Sequence, residues 1–362
     1  MDFGLSEDQR LLEETVRSFL AERVPIERVR ALRDRDCPND REIWRALAEL
    51  GVTGILVPEA QGGSGLRLLD AALVSQALGH AATPSPFLAS SVMAVVALSA
   101  IESPKADAWL ADIASGELVL AVAFTELFSV REGAGVATGP SGLSGKAMMA
   151  IDACAADRLL VALGPQKLAV VRRDAPGVQT SRLRTTDATR CTAEVVFADA
   201  EPEAIFENAG SALARALDAG RIALAADVVG ACESMVEQAV RYAGQRKQFD
   251  RLIGSFQAVK HMCAEMIAQL EPTRSLLWYA AHSFDALPQD APLMACHALA
   301  HASEIGREIA SVSTQVHGGV GWTDEQNLHF WFKRISLARH LLGGPECLRE
   351  RAASLQSFDA AS

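Results

Sequence analysis

Apolar residues recur at three- and four-residue steps near both ends of the chain and collapse into short dense runs in the middle. Near the N-terminus, Leu12, Val16, Phe19, Leu20 and Val24 share one helical face, and Ser6 with Gln9 offers a capping-box pair ahead of it. Arg41 to Leu50 predicts a second helix, stopped by Gly51. A turn, Gln61-Gly62-Gly63-Ser64-Gly65, precedes a further helix from about Leu68 to Gly79. Phe87 to Ile101 predicts a buried helix. Serines interrupt it at 90, 91 and 99, prolines bracket it, and it falls short of the roughly 20 residues a membrane span requires.

From about Glu117 to Phe206 the period changes. Leu118 to Phe124, Asp157 to Leu163, Leu168 to Arg172 and Cys191 to Phe197 read as strands separated by Gly and Pro clusters. Helical spacing then returns. Leu213 to Ala243 predicts one long helix. Phe256, Val259, Cys263, Met266, Leu270, Leu277 and Phe284 form a bundle-type stripe, in which Pro272 should place a kink or a break. Leu293 to Val316, about Glu325 to Leu342, and a stretch from Pro345 complete the set. The expected fold is mainly α with a central β domain: an N-terminal helical domain (1–116), a middle β domain (117–207) and a C-terminal helical bundle (208–362).

Composition narrows the function classes. Hydrophobic residues make up 49% and charged residues 22% of the 362, the mix of a soluble globular chain. A net charge of −11 argues against a nucleic-acid surface, though a few local arginines can still hold an anionic ligand. The seven cysteines show no Cys-x-x-Cys pair, so neither a disulfide framework nor a zinc site is expected. They read as small apolar thiols of a reducing cytosol. Met1-Asp2-Phe3-Gly4 opens without a basic and then apolar segment. No signal peptide is therefore expected, and a cytoplasmic location is.

Two segments carry candidate chemistry. Arg246-Lys247-Gln248-Phe249-Asp250, followed by Ile253-Gly254-Ser255-Phe256-Gln257, places a planar guanidinium beside a glycine break, which suits a phosphate. Gln315-Val316-His317-Gly318-Gly319-Val320-Gly321 lets backbone approach a ligand and turns N–H groups toward an anion. Each alone is equally a solvated helix end or a helix stop. In this order they resemble the acyl-CoA dehydrogenase family, whose bundle carries Arg-x-x-Phe-Gly…Phe-Gln and then Gln-x-x-Gly-Gly-x-Gly. The resemblance extends over nearly the whole chain. It includes Val57-Pro58-Glu59…Gly62-Gly63, Phe124-Thr125-Glu126, and Thr323-x-Glu325-x-x-Leu328-His329…Lys333-Arg334.

The resemblance implies a β-barrel-like middle domain, a four-helix bundle, FAD, an acyl-CoA thioester substrate, an oligomer and an electron-transfer flavoprotein as electron acceptor. By motif position, Arg246, Gln248, Phe249, Gln315, Gly318 and Gly319 clamp the ADP half of a neighbouring subunit's FAD. Thr125 faces the chain's own flavin, and Asp218 and Arg221 lie near the thioester. His317 and His329 belong to the signature without acting as bases.

α,β-Desaturation requires a carboxylate base at the thioester α-carbon. The family places a Glu in one of two positions, which here are Leu342 and Gly220. The flavin loop is also altered to Leu127-Phe128-Ser129-Val130-Arg131, and Met148 occupies the place of the Trp that covers the flavin. The expectation is therefore a base-deficient chain that completes the FAD site of a second acyl-CoA dehydrogenase-type subunit, as in bacterial heterotetramers that act on steroid side-chain CoA esters. The alternatives are a complete homotetramer with Asp227 as a relocated base, and a non-catalytic CoA- or acyl-binding protein.

Overall fold

The computed structural model describes residues 4–129 and 131–358. The opening Met1-Asp2-Phe3, Val130 of the altered loop and the last four residues lie outside the described residues. Helix α1 (Glu7–Arg23) starts at the expected capping box: Ser6 Oγ accepts from Gln9 N at 3.2 Å, and Gln9 Oε1 accepts from Ser6 N at 3.1 Å. Pro25 ends that run, and a separate short helix, α2 (Ile26–Arg33), follows it. Next come α3 (Arg41–Glu49), capped by Asp40, and α4 (Leu68–His80). The buried 88–99 stretch is helical as expected, but it opens with a wide π turn (Leu88–Ala94) before tightening into α5 (Val95–Ser99). Pro104 does not merely close that stretch; it occupies the first turn of α6 (Pro104–Ala114), where its missing N–H costs nothing.

The middle of the chain is one eight-stranded sheet. Its strands are β1 (Leu120–Ala123), β2 (Gly135–Gly139), β3 (Gly142–Ile151), β4 (Arg158–Ala162), β5 (Leu168–Arg172), β6 (Val178–Arg182), β7 (Thr192–Ala200) and β8 (Ala204–Phe206), in the order β6-β7-β3-β1-β4-β5-β8 with β2 paired to β3. Only β1 and β4 run parallel. Strands β1, β4 and β5 are almost wholly buried, which is why their apolar runs were legible. The pairing of β3 with β7 slips between Ala147 and Ala150, where Met149 adopts a left-handed φ of 53°.

After β8 the chain enters α7 (Gly210–Ala243), buried through most of its length. A two-residue-stranded hairpin, β9 (Lys247–Gln248) and β10 (Arg251–Leu252), leads into α8 (Gln257–Ala286), α9 (Ala291–His317), α10 (His329–Ala338) and α11 (Pro345–Leu355). Helix α8 continues through Pro272, so of the kink or break expected there the break does not occur. Helix α10 is shorter than expected at both ends: Asn327 (φ 60°) precedes it and Leu342 (φ 56°) follows it, each in a left-handed turn. Helices α4 and α7 touch backbone to backbone. A Cβ on Gly79 would lie 2.0 Å from Asp227 O, and one on Gly230 would lie 1.9 Å from Gln76 O. Among the described residues no helix is long and apolar enough to cross a membrane.

Candidate functional site

The two positions expected to carry a carboxylate meet in space. A Cβ built on Gly220, in α7, would lie 2.7 Å from Met93 Sδ and 3.1 Å from Leu342 Cδ1. The neighbouring Arg221 is 1% exposed; its Nε donates to Leu342 O at 3.1 Å and its Nη1 to Asp218 Oδ1 at 2.9 Å. Arg221 therefore pins the loop after α10 against α7. The expected substrate contacts, Asp218 and Arg221, are buried and paired with each other. Burial raises the Asp218 carboxyl, against the opposing charges of Arg221 and Arg351.

In front of this junction is a cavity of about 220 Å³, walled by Thr125, Phe128, Met149, Leu342 and Cys347 among others. No Asp or Glu is among its described lining residues. Thr125 is 8% exposed and opens a single helical turn, its carbonyl accepting from Phe128 N and Ser129 N. Glu126 Oε1 accepts from Met148 N at 3.0 Å, which ties this turn to β3 at the altered position.

The other candidate segments come together at the far end of α7. Tyr242 stacks on His317, ring centroids 4.7 Å apart and planes 28° apart, joining the C-terminal ends of α7 and α9. His317 Nδ1 donates to Ser313 O at 2.8 Å, burial lowers its pKa against that bond, and its buried Nε2 lacks a partner among the described residues. Arg246 follows the α7 end, and Phe249 sits at the hairpin tip with φ 54° and 88% exposure. Gln248, Gln315, Gly318 and Gly319 are exposed as well. A Cβ on Gly318 or Gly319 would meet nothing within 4 Å. Among the described residues no side-chain hydrogen bond or ion pair engages Arg246, Gln248 or Gln315.

Two residues were not visible as part of this region in sequence. Arg30 and Arg33, on the unanticipated α2, grip Asp324 just beyond the glycine run; Arg33 Nη1 donates to Asp324 Oδ1 at 2.9 Å. They hold its carboxyl well below the usual carboxylate range. Nothing local in the sequence pairs positions so far apart.

Residues 6–117 match the family model described as acyl-CoA dehydrogenase, N-terminal domain, and residues 208–354 match the C-terminal domain model of the same family. The chain belongs to the acyl-CoA dehydrogenase family. It is 32% identical to acyl-CoA dehydrogenase IpdE2 of Mycobacterium tuberculosis, over 96% of this chain and 97% of that one. Among solved structures, a variant of the Tcur3481-Tcur3483 steroid ACAD superposes with a TM-score of 0.88 at 28% identity, covering 98% of this chain and 99% of that one. The ChsE4-ChsE5 complex from Mycobacterium tuberculosis gives 0.88 at 27% identity, covering all of both chains. Acyl-CoA dehydrogenases are FAD-dependent oxidoreductases acting on CH–CH bonds, and the helical–β–helical order of this chain is theirs.

Acyl-CoA dehydrogenase chemistry calls for an unpaired carboxylate facing the substrate, and Asp227 is not one. It is 6% exposed; Arg334 donates to both its oxygens, at 2.9 and 2.7 Å, and Arg190 Nη2 forms an ion pair with it at 2.6 Å. Burial alone would raise its pKa, but the two guanidiniums outweigh it and the net shift is downward. The seven-residue spacing from Gly220 corresponds to about 10 Å along the helix axis. A carboxylate there lies that far along the helix from the Gly220–Leu342 junction and is paired with two arginines. The free heads of Arg246, Gln248 and Gln315, the exposed Phe249 and the open ground above Gly318 and Gly319 fit the anionic half of a dinucleotide arriving from outside the chain.

Proposed function

We propose that this chain is the base-deficient subunit of a heteromeric acyl-CoA dehydrogenase, and that it completes the FAD site of a partner subunit of the same family. The observation that carries the reading is the Gly220–Leu342 junction. Both family positions for the base converge on one point, and that point is filled by Met93 and Leu342 with no carboxylate among the described residues lining the adjoining cavity. In this reading Arg246 pairs with a pyrophosphate oxygen, Gln248 and Gln315 supply hydrogen bonds, Phe249 covers an apolar face, and the Gly318 and Gly319 N–H groups point at the anion. Thr125 marks the eroded flavin-facing half. Bound FAD supplies the hydride acceptor, and the partner supplies the carboxylate that takes the α-proton of the acyl-CoA. Asp218 and Arg221 act by holding the loop around Leu342 in place. An electron-transfer flavoprotein as acceptor, a cytoplasmic location and a bulky, steroid-like acyl group are parts of the same proposal. The last draws on the steroid ACAD named among the similar structures.

The complete homotetramer has no support from the surroundings of Asp227. A non-catalytic CoA- or acyl-binding protein would have no use for an exposed Arg246 beside an open glycine turn. The test is to purify the chain alone and after co-expression with candidate partners of the family, then measure flavin per chain and acyl-CoA oxidation. Flavin and turnover only in the co-expressed complex are expected. One FAD on every copy of the lone chain, with turnover, overturns the proposal.

A further inference from the structure

The glycine run is held at two points. Inside the bundle, the Tyr242–His317 stack fixes the end of α9, and a Cβ on Gly321 would lie 2.9 Å from Thr314 O, so the run folds back against the helix it leaves. Between these points Gly318 turns at φ 65°, and neither it nor Gly319 has a neighbour within 4 Å of where a Cβ would stand. Two unpacked glycines have many accessible backbone states, and a ligand that requires one of them loses affinity to the others.

The second hold comes from α2, in the N-terminal helical domain. Arg30 donates to the Asp324 carboxylate, to Asp324 O at 2.5 Å and to Asn327 Oδ1. Arg33 Nη1 donates to Asp324 Oδ1 at 2.9 Å and to His329 Nε2 at 2.9 Å. The two guanidiniums also stand over the Phe330 ring, 5.6 and 5.1 Å from its centroid. Thr323 joins this latch to the run: its N and its Oγ1 both donate to Val320 O, at 3.0 and 2.7 Å. A single exposed ion pair would contribute little. Here two arginines meet a carboxylate, a backbone carbonyl, an asparagine, a histidine and an aromatic ring, all on one short segment.

We propose that Arg30 and Arg33 are positioning residues for the cofactor: by holding Asp324 they keep the Gly318–Gly321 backbone in the arrangement that receives the anionic half of FAD. This rests on reading Arg246 to Gly319 as an FAD clamp. The two arginines act through Asp324, so they govern how often the run is ready to bind and leave the chemistry of bound flavin alone. The N-terminal helical domain of this chain thereby contributes to the affinity for a cofactor whose reacting ring lies on another subunit.

The test has two arms. In the lone chain, hydrogen exchange of residues 318–327 is followed in wild type, Asp324→Asn and Arg30→Ala/Arg33→Ala. Both variants should lose protection there, while the middle of α9 keeps its own. In the co-expressed complex, the FAD dissociation constant is read by flavin fluorescence on dilution, with Arg246→Ala as reference. If the ready fraction falls to about a tenth or a fifth, that constant rises about 5- to 10-fold, and turnover per bound flavin stays at the wild-type value. Asp324→Glu should recover part of the loss, and the triple variant should be no worse than Arg30→Ala/Arg33→Ala, because the three act as one unit. Unchanged exchange in Asp324→Asn overturns the proposal. So does unchanged FAD affinity in the latch variants when Arg246→Ala weakens it, which leaves the clamp reading standing. If Arg246→Ala is also without effect, the clamp reading itself fails and the proposal falls with it.

Discussion

Replacing Asp227 with Asn separates a structural acid from a catalytic one. The substitution keeps the shape and removes the charge that faces Arg334 and Arg190. Arg334 is 3% exposed, and its remaining partners, Thr189 Oγ1 at 2.9 Å and Thr83 O at 3.2 Å, are neutral. Two other carboxylates stand near this pair: Asp187, 3.7 Å from Arg190 Nε, and the buried Asp152. Removing one partner of a buried ion pair costs about 3–5 kcal/mol, a large share of the roughly 5–15 kcal/mol that holds a domain folded. With a urea m-value of about 2–3 kcal/mol/M, the midpoint should fall by about 1–2.5 M. Far-UV circular dichroism in a urea series measures this. The acid limb carries a sign. The folded carboxyl lies below its unfolded value of about 3.9, so its contribution is complete above that pH and is lost as pH falls through it. Asp227→Asn should flatten that limb. Asp227→Leu combined with Arg334→Met and Arg190→Met should recover much of the stability, because no buried charge is left alone. A base would behave differently: Asp227→Asn would keep native stability and lose at least about 10²-fold in turnover of the flavin-loaded complex. That result, or a triple variant with restored stability and abolished turnover, refutes the structural assignment.

Arg246→Ala should leave the urea midpoint of the lone chain within about 0.5 kcal/mol, since the side chain is exposed and unengaged. In the complex, losing a charge-assisted hydrogen bond of about 1.5–3 kcal/mol should weaken FAD binding by about 10- to 150-fold, read by flavin fluorescence on dilution. Gly220→Ala should cost about 1–3 kcal/mol despite better helix propensity, because its methyl meets Met93 Sδ, and Met93→Ala in the same chain should recover part of it in a double-mutant cycle. Burial raises the fully enclosed Asp152 carboxyl to about 7, with Asn39 and Arg190 opposing. A raised folded value stabilises at low pH and is lost as pH climbs from about 4 to 7, so Asp152→Asn should remove that decline from a plot of unfolding free energy against pH.

The long helices were legible because their buried stripes repeat at the helical period over many turns, as in α7 and α9, and because Ser6 and Gln9 satisfy one another locally. Helix α2 was missed because half of its eight residues are charged and its purpose, the grip of Arg30 and Arg33 on Asp324, lies nearly three hundred residues away. Strands β2 and β6 were missed because their exposed sides are polar and lack an apolar run. The two segments proposed as the clamp were legible as residue types in order, Arg246 to Gly319, whereas the Tyr242–His317 stack that joins the helix ends carrying them was not. The surroundings of Asp227 could not be read from its position in the sequence. Helical spacing says which residues share a face and nothing about what opposes them, and here two arginines do.

The proposed reading has the clamp and the eroded cavity serving different cofactor molecules, and the length of helix α7 supports it. Gly220 marks the cavity end of this helix and Ala243 its clamp end, and the 23 residues between them correspond to about 35 Å. A dinucleotide held by Arg246 and Gly318 cannot also present its reacting ring at Leu342 of the same chain. Retaining the clamp is therefore useful only to a cofactor whose other end lies on another subunit, whereas loss of carboxylates at Gly220 and Leu342 affects only the chain's own cavity. Selection can relax one end of α7 without disturbing the other, provided the subunit that receives the clamp keeps its base. In a homo-oligomer the same relaxation would disable every site at once. On the proposed reading the asymmetry between the two ends of one helix favours a heteromer, and it requires clamp variants of this chain to lower flavin content at the partner's site.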